Sequence, residues 1–145
     1  MIKKLITTLT LILGLSLSAI GIMHAYAGEP TGNYADSKYN FRFLKGNPYD
    51  ETKSRTKFNK SYYYMFNTEN NTSYEAWARS HGKDVSGGHY YTIKKNYYGK
   101  KLLYNLAVEK SLWGLGTPSV TIGAKKNAAG HANGVWSPDY DPNSP

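Results

Sequence analysis

The chain has 145 residues, with 18 Lys and Arg against 10 Asp and Glu, no Cys, 14 Tyr and 14 Gly. This length holds one domain, or one domain with a processed segment, and is too short for an eightfold βα barrel or a two-domain enzyme. The lack of Cys excludes disulfides, thiolate metal sites, a cysteine nucleophile and a lipoprotein anchor.

The N-terminus reads as a signal peptide over 1–27. Lys3 and Lys4 precede an apolar stretch from Leu5 to about Ile22, and Ala25-Tyr26-Ala27 supplies the small residues a signal peptidase reads. Cleavage is expected before Gly28, giving a secreted product; a retained anchor is the alternative. Without Lys3 and Lys4 the mature chain, 28–145, keeps 16 basic residues against 10 acidic ones, a charge of +6. It has only six Leu, four Val and two Ile, but 13 Tyr and three Trp. Its core must therefore be built on aromatic rings, each of which buries a large area.

Residues 28–37 read as a flexible leader. Lys38–Leu44 alternates, with Tyr39, Phe41 and Phe43 on one face, and is a half-buried strand. Gly46 to Thr56 is polar, holds Pro48 and reads as a loop. Ser61–Asn67 and Ser73–Arg79 are strands either side of a turn at Glu69–Thr72. His81 to Gly88, with three Gly, reads as a loop. His89–Lys94 alternates again, and Asn96–Lys100 reads as a hairpin connection. Leu102, Tyr104, Leu106 and Val108 alternate, although Leu102, Leu103, Leu106, Lys110 and Trp113 also fit helical spacing; strand is preferred. Val120, Ile122 and Ala124 form a further strand, and Val135–Trp136 a last short one, with Trp136 expected to be buried. The sum is an all-β domain over 38–137, an antiparallel β-sandwich or small open barrel of six to seven short strands, followed by a disordered tail over 138–145.

Chemistry-bearing residues are few. His81, Asp84 and His89 lie close enough in sequence to meet at a metal, but their spacing matches no dedicated site, and solvated loop residues are the plainer reading. His131 is the third histidine of the mature chain. No strand-elbow Ser, phosphate-cradling Gly loop or paired catalytic carboxylates stand out; Asp50-Glu51 and Asp139/Asp141 fall in Pro-containing stretches read as loops. The chain is thus read as non-enzymatic, with no cofactor and no metal. A secreted hydrolase is the remote alternative.

The candidate binding site is basic and aromatic. Lys94, Lys95, Tyr97, Tyr98, Lys100 and Lys101 fall within eight residues around Asn96 and Gly99. Lysines attract phosphate and carboxylate, and tyrosines supply flat amphipathic faces. A second basic group is Lys53, Arg55, Lys57 and Lys60. An exported protein meets wall and membrane polyanions before nucleic acid, so the former are the expected partners and nucleic acid is not. Lysines also keep edges soluble and unpaired, which is the competing explanation.

Three stretches carry a resemblance: Gly134-Val135-Trp136-Ser137-Pro138-Asp139, the first strand Lys38–Phe43, and Tyr104-Asn105-Leu106-Ala107-Val108-Glu109. Across about 34–140 the chain resembles a small secreted family of unknown function from Gram-positive bacteria, whose members are often encoded beside transporters. More distantly it is similar to lactococcin 972 type bacteriocins, which are Cys-free secreted β-sandwiches acting at the cell envelope. The resemblance implies an envelope-directed, bacteriocin-like protein with a transporter as a partner, and it carries over no catalytic residue. The alternative is an interaction module joined to a secreted or transporter partner by strand addition.

Overall fold

A computed structural model describes residues 32–111, 114 and 116–143. The expected signal peptide, the first residues of the expected leader and Trp113 lie outside the described residues. Ten strands are present among them: β1 Ser37–Phe43, β2 Tyr49–Glu51, β3 Arg55–Thr56, β4 Tyr63–Asn70, β5 Tyr74–Ser80, β6 Lys83–Asp84, β7 Tyr91–Ile93, β8 Gly99–Leu103, β9 Ser119–Lys125 and β10 Gly130–Ser137. Every pairing is antiparallel. One sheet runs β1-β10-β4-β8. The other runs β2-β9-β5-β6, with β3 also on β9 and β7 also on β5. The all-β, two-sheet architecture expected from the alternation is therefore present, with more strands than the sequence displays.

The period of two selects each inner face. Tyr39, Phe41 and Phe43 of β1, Tyr63 and Met65 of β4, Leu103 of β8 and Trp136 of β10 are buried, and so are Ala76 and Ala78 of β5 and Val120, Ile122 and Ala124 of β9. The first sheet supplies most of the aromatic rings and the second mainly Ala, Val and Ile, so the two inner faces complement each other in volume. Tyr74 of β5 closes the gap, its ring 5.9 Å from that of Phe41 and 5.5 Å from that of Phe43. Trp136 is 1% exposed and packs on Tyr63 at 6.3 Å.

Several expectations are corrected. Gly46–Thr56 is not all loop: β2 and β3 both pair with β9, placing Asp50 and Glu51 on a strand. His81–Gly88 contains a tight hairpin, in which Ser80 pairs with Lys83 and both central residues, His81 (φ 49°) and Gly82 (φ 73°), are left-handed. That is the backbone of a type I′ turn, which suits right-twisted strands. Asn96–Lys100 is no hairpin connection: β7 belongs to the second sheet and β8 to the first, so this segment carries the chain across the sandwich. The strand expected over 102–108 ends at Leu103, because Asn105 turns inward, is buried, and donates to the Ser61 carbonyl at 2.9 Å. The last strand is long, eight residues rather than two, because β10 lies between β1 and β4 and pairs along both edges. The expected tail does not start at 138: Pro138 and Asp139 are buried. The leader is not free over its described part either, since Asn33 N–H donates to the Asp139 carboxylate at 2.7 Å.

Candidate functional site

The outer face of the first sheet carries a groove. β4 turns Tyr64 and Phe66 outward, because their neighbours Tyr63, Met65 and Asn67 fill the core. On β8, Lys100 pairs with Phe66 and therefore shares that outer face. The chain after β10 brings Tyr140 back over the sheet, with its backbone N–H donating to Ser61 Oγ at 2.8 Å. Tyr34 and Asp36, ahead of β1, complete the wall. The groove holds about 250 Å³, and Ser137, Asp139 and Asp141 also line it.

Its lining mixes aromatic rings with one ammonium, Lys100, and three carboxyl groups, Asp36, Asp139 and Asp141, of which Asp139 is fully buried. The Tyr64 and Tyr140 rings are nearly parallel, 6° apart in plane with centroids 6.3 Å apart. Lys100 Nζ lies 5.4 Å from the Tyr140 centroid and 3.4 Å from its hydroxyl. An ammonium over a phenol ring gains from the ring's quadrupole and keeps donors for a ligand. Tyr98 stands beside this group, edge-on to Phe66 at 5.1 Å and 72% exposed. Partial desolvation holds the Asp36 carboxyl above its ordinary range, against the pull of Arg55. Burial likewise raises the Tyr64 phenol, so it stays a neutral donor at physiological pH.

The six residues of the expected basic-aromatic patch are thus divided. Tyr98 and Lys100 join the groove or its rim. Tyr97 packs against the core and donates its hydroxyl to the Lys100 carbonyl at 2.8 Å. Lys101 sits on the core-facing side of the edge strand β8, paired with Met65, its Nζ 5.1 Å from the Tyr97 centroid. A charge on the inner side of an edge strand discourages further pairing. Lys94 and Lys95 are exposed at the turn that precedes the crossing.

The second basic group does not form a surface patch. Lys57 is 0% exposed and ion-paired to Asp139, also 0% exposed, at 2.8 Å. Burial lowers the Lys57 ammonium's affinity for its proton, opposed by Asp139. Arg55 is consumed by structure: it donates to Ala35 O, to Trp136 O at 3.1 Å and to Asn33 Oδ1 at 2.6 Å. Lys53 and Lys60 alone of the four are exposed. Nothing in the order Arg55-Thr56-Lys57 announces this.

The histidines are also placed. His81 occupies the tight turn described above. The Asp84 carboxylate accepts from Ser86 N–H at 2.8 Å and from the Tyr90 hydroxyl, and His89 packs on Tyr104 with centroids 4.7 Å apart. The three do not converge, and no group of three or more metal-ligating side chains occurs among the described residues. His131 faces Glu69 at 3.2 Å on the exposed surface. No helix among the described residues is long and apolar enough to cross a membrane.

These features define a small antiparallel β-sandwich with an aromatic groove on one outer face. Residues 23–140 match the family described as Protein of unknown function (DUF2712), and the chain belongs to it. No curated protein and no solved structure matches the chain.

Proposed function

We propose that this is a secreted, non-enzymatic, envelope-directed protein that binds an anionic cell-wall or membrane polymer in the aromatic groove. The supporting observation is the Lys100 ammonium held against Tyr140 between aromatic walls. Rings of this kind pack on the apolar faces of sugar or polyol units, and the ammonium meets a phosphate or carboxylate of the same polymer. Lys94 and Lys95 add long-range attraction to the +6 mature chain. The signal-like N-terminus and the Lys-rich composition fit export from a Gram-positive cell. A bacteriocin-like effect on growth is the stronger form of this reading. Strand addition to a partner, such as a neighbouring transporter, is the second reading, but Lys101 on the inner side of the β8 edge disfavours it there.

The test is depletion of the purified protein from solution by intact Gram-positive cells, with growth followed in the same tubes. Binding is expected at about 0.15 M salt and lost near 1 M, as the Debye length contracts from about 8 Å to about 3 Å. Lys100→Gln is expected to weaken binding about tenfold, or ~1.4 kcal/mol. The joint change of Lys94 and Lys95 to Gln should lower it less and flatten its salt dependence. Binding that ignores both salt and Lys100→Gln rejects the groove and favours a protein partner.

A further inference from the structure

Among the described residues, Lys57–Asp139 is the one ion pair with both side chains fully buried. An amine and a carboxylate, both fully buried, touch at 2.8 Å. Lys57 follows β3 of the second sheet, and Asp139 follows β10 of the first, so the contact ties the two sheets together across 82 residues of chain. Taking two ions out of water is costly, and a neutral linkage in the same place carries no such penalty.

The two carboxylate oxygens are treated differently. Oδ2 accepts from two backbone N–H groups, Asn33 at 2.7 Å and Phe58 at 3.0 Å. Oδ1 faces Lys57 Nζ at 2.8 Å, with only a long contact from Asn59 N–H at 3.3 Å. Nζ also donates to the Pro138 carbonyl at 2.6 Å and lies 5.1 Å from the Tyr63 ring centroid. The amine is therefore aimed at one oxygen, and the other sits in a fixed pair of donors like those that stabilise tetrahedral intermediates in acyl transfer. The carboxyl carbon is one bond beyond Oδ1, so little movement brings Nζ to the ~3–3.5 Å of a near-attack geometry.

We infer that Lys57 and Asp139 condense to an intramolecular isopeptide bond. The ammonium passes one proton to Oδ1, leaving a neutral amine and a carboxylic acid. The Nζ lone pair then attacks the carboxyl carbon, and charge develops on Oδ2 between the Asn33 and Phe58 N–H groups. A second proton moves from nitrogen to Oδ1, which departs as water. The C–N bond forms, the C–Oδ1 bond breaks, and no oxidant, reductant or co-reactant enters. Burial, which already weakens the ammonium's hold on its proton, favours the first transfer. The product amide keeps Oδ2 as its carbonyl oxygen on the same two donors. In a chain without Cys, it would serve as the covalent tie between sheets.

The experiment is the intact mass of the purified, folded protein, taken fresh and after prolonged incubation at neutral pH. The expected result is a mass below that calculated for the isolated chain by one water, with protease digestion yielding one branched peptide that joins Lys57 to Asp139. Lys57→Arg, which cannot supply a neutral amine, should keep its full calculated mass. Wild-type protein that retains its full mass after incubation, and whose Lys57 is acylated by an amine reagent once denatured, overturns the inference and leaves an ion pair only. The wild-type mass decides the matter even where the Arg variant fails to fold.

Discussion

Gly134 shows how one missing atom shapes the first sheet. It lies at the register shift between Asn133 and Gly134, where β10 bulges against β4. A Cβ there would meet the Phe66 carbonyl oxygen at 2.1 Å and the Tyr39 hydroxyl at 2.6 Å. The first obstacle is backbone and cannot rotate away. Gly134→Ala should therefore cost at least about 1–3 kcal/mol, the range for overpacking. Gly46, whose Cβ would meet nothing within 4 Å, is the matched control, and Gly46→Ala should stay within about 0.5 kcal/mol of the parent. Urea unfolding midpoints of the two variants check both values. The same scale shows where sequence is mute. Lys57 and Asp139 look like ordinary solvated residues in their own neighbourhoods, and only the fold brings them together from 82 positions apart. Trp136 was legible because a large ring in a strand-forming pair has few places to go but inward.

Among the elements, β4 is held by a polar hub as well as by its ladders. Asn67 is buried, and its Oδ1 accepts from the Tyr39 hydroxyl at 3.1 Å and the Tyr74 hydroxyl at 2.8 Å. Its Nδ2 donates to Asn70 Oδ1 at 2.9 Å and to the Tyr97 carbonyl at 2.5 Å. One side chain thus joins β1, β4, β5 and the crossing segment before β8. Asn67→Leu would remove the shared acceptor of two buried phenols and a donor to a backbone carbonyl. At about 1–3 kcal/mol for each group left unpaired, the loss should reach ~3 kcal/mol or more. Adding Tyr39→Phe to that variant should recover part of it, because one stranded hydroxyl is then gone; chemical denaturation of the single and double variants measures both steps. Strands with clean alternation, β1, β5 and β9, were readable from sequence. The short strands β2, β3 and β6 were not, since two or three residues carry no period. β10 was read only at Val135–Trp136 because Gly130–Asn133 contains no strong strand former; it is a strand because neighbours on both sides supply its hydrogen bonds. The groove was half legible: Tyr98 and Lys100 stood out, whereas Tyr64, Phe66 and Tyr140 join them only through strand register and the return of the chain after β10.

For the whole molecule, a core built on tyrosine has an alkaline limit. Burial raises the phenols of Tyr39, Tyr63 and Tyr74 well above their ordinary range, and burial with the Glu51 hydrogen bond pushes Tyr49 up to about 12. The folded state therefore holds these protons more tightly than the unfolded chain, whose phenols ionise near pH 10. Below that pH these phenols are protonated in both states and add no pH dependence of their own. Above it the unfolded state binds fewer protons, so stability falls as pH rises. The thermal midpoint is expected to hold through about pH 9 and to drop steeply above about pH 10. Melting curves across that range, with phenolate absorbance read in parallel, should show the buried tyrosines ionising only as the fold is lost.

The position of β10 has a consequence for the order in which the chain becomes available. β1 and β4 never pair with each other; both pair with β10, which is nearly the last segment of the sequence. A chain emerging from its N-terminus, whether from a ribosome or through a narrow pore, has no way to close the first sheet until residues 130–137 are out. Until then β1 has no partner in that sheet, whereas β4 can pair with β8, and β5 with β6 and β7, from chain already made. The first sheet is therefore closed late, by the one strand that both β1 and β4 require.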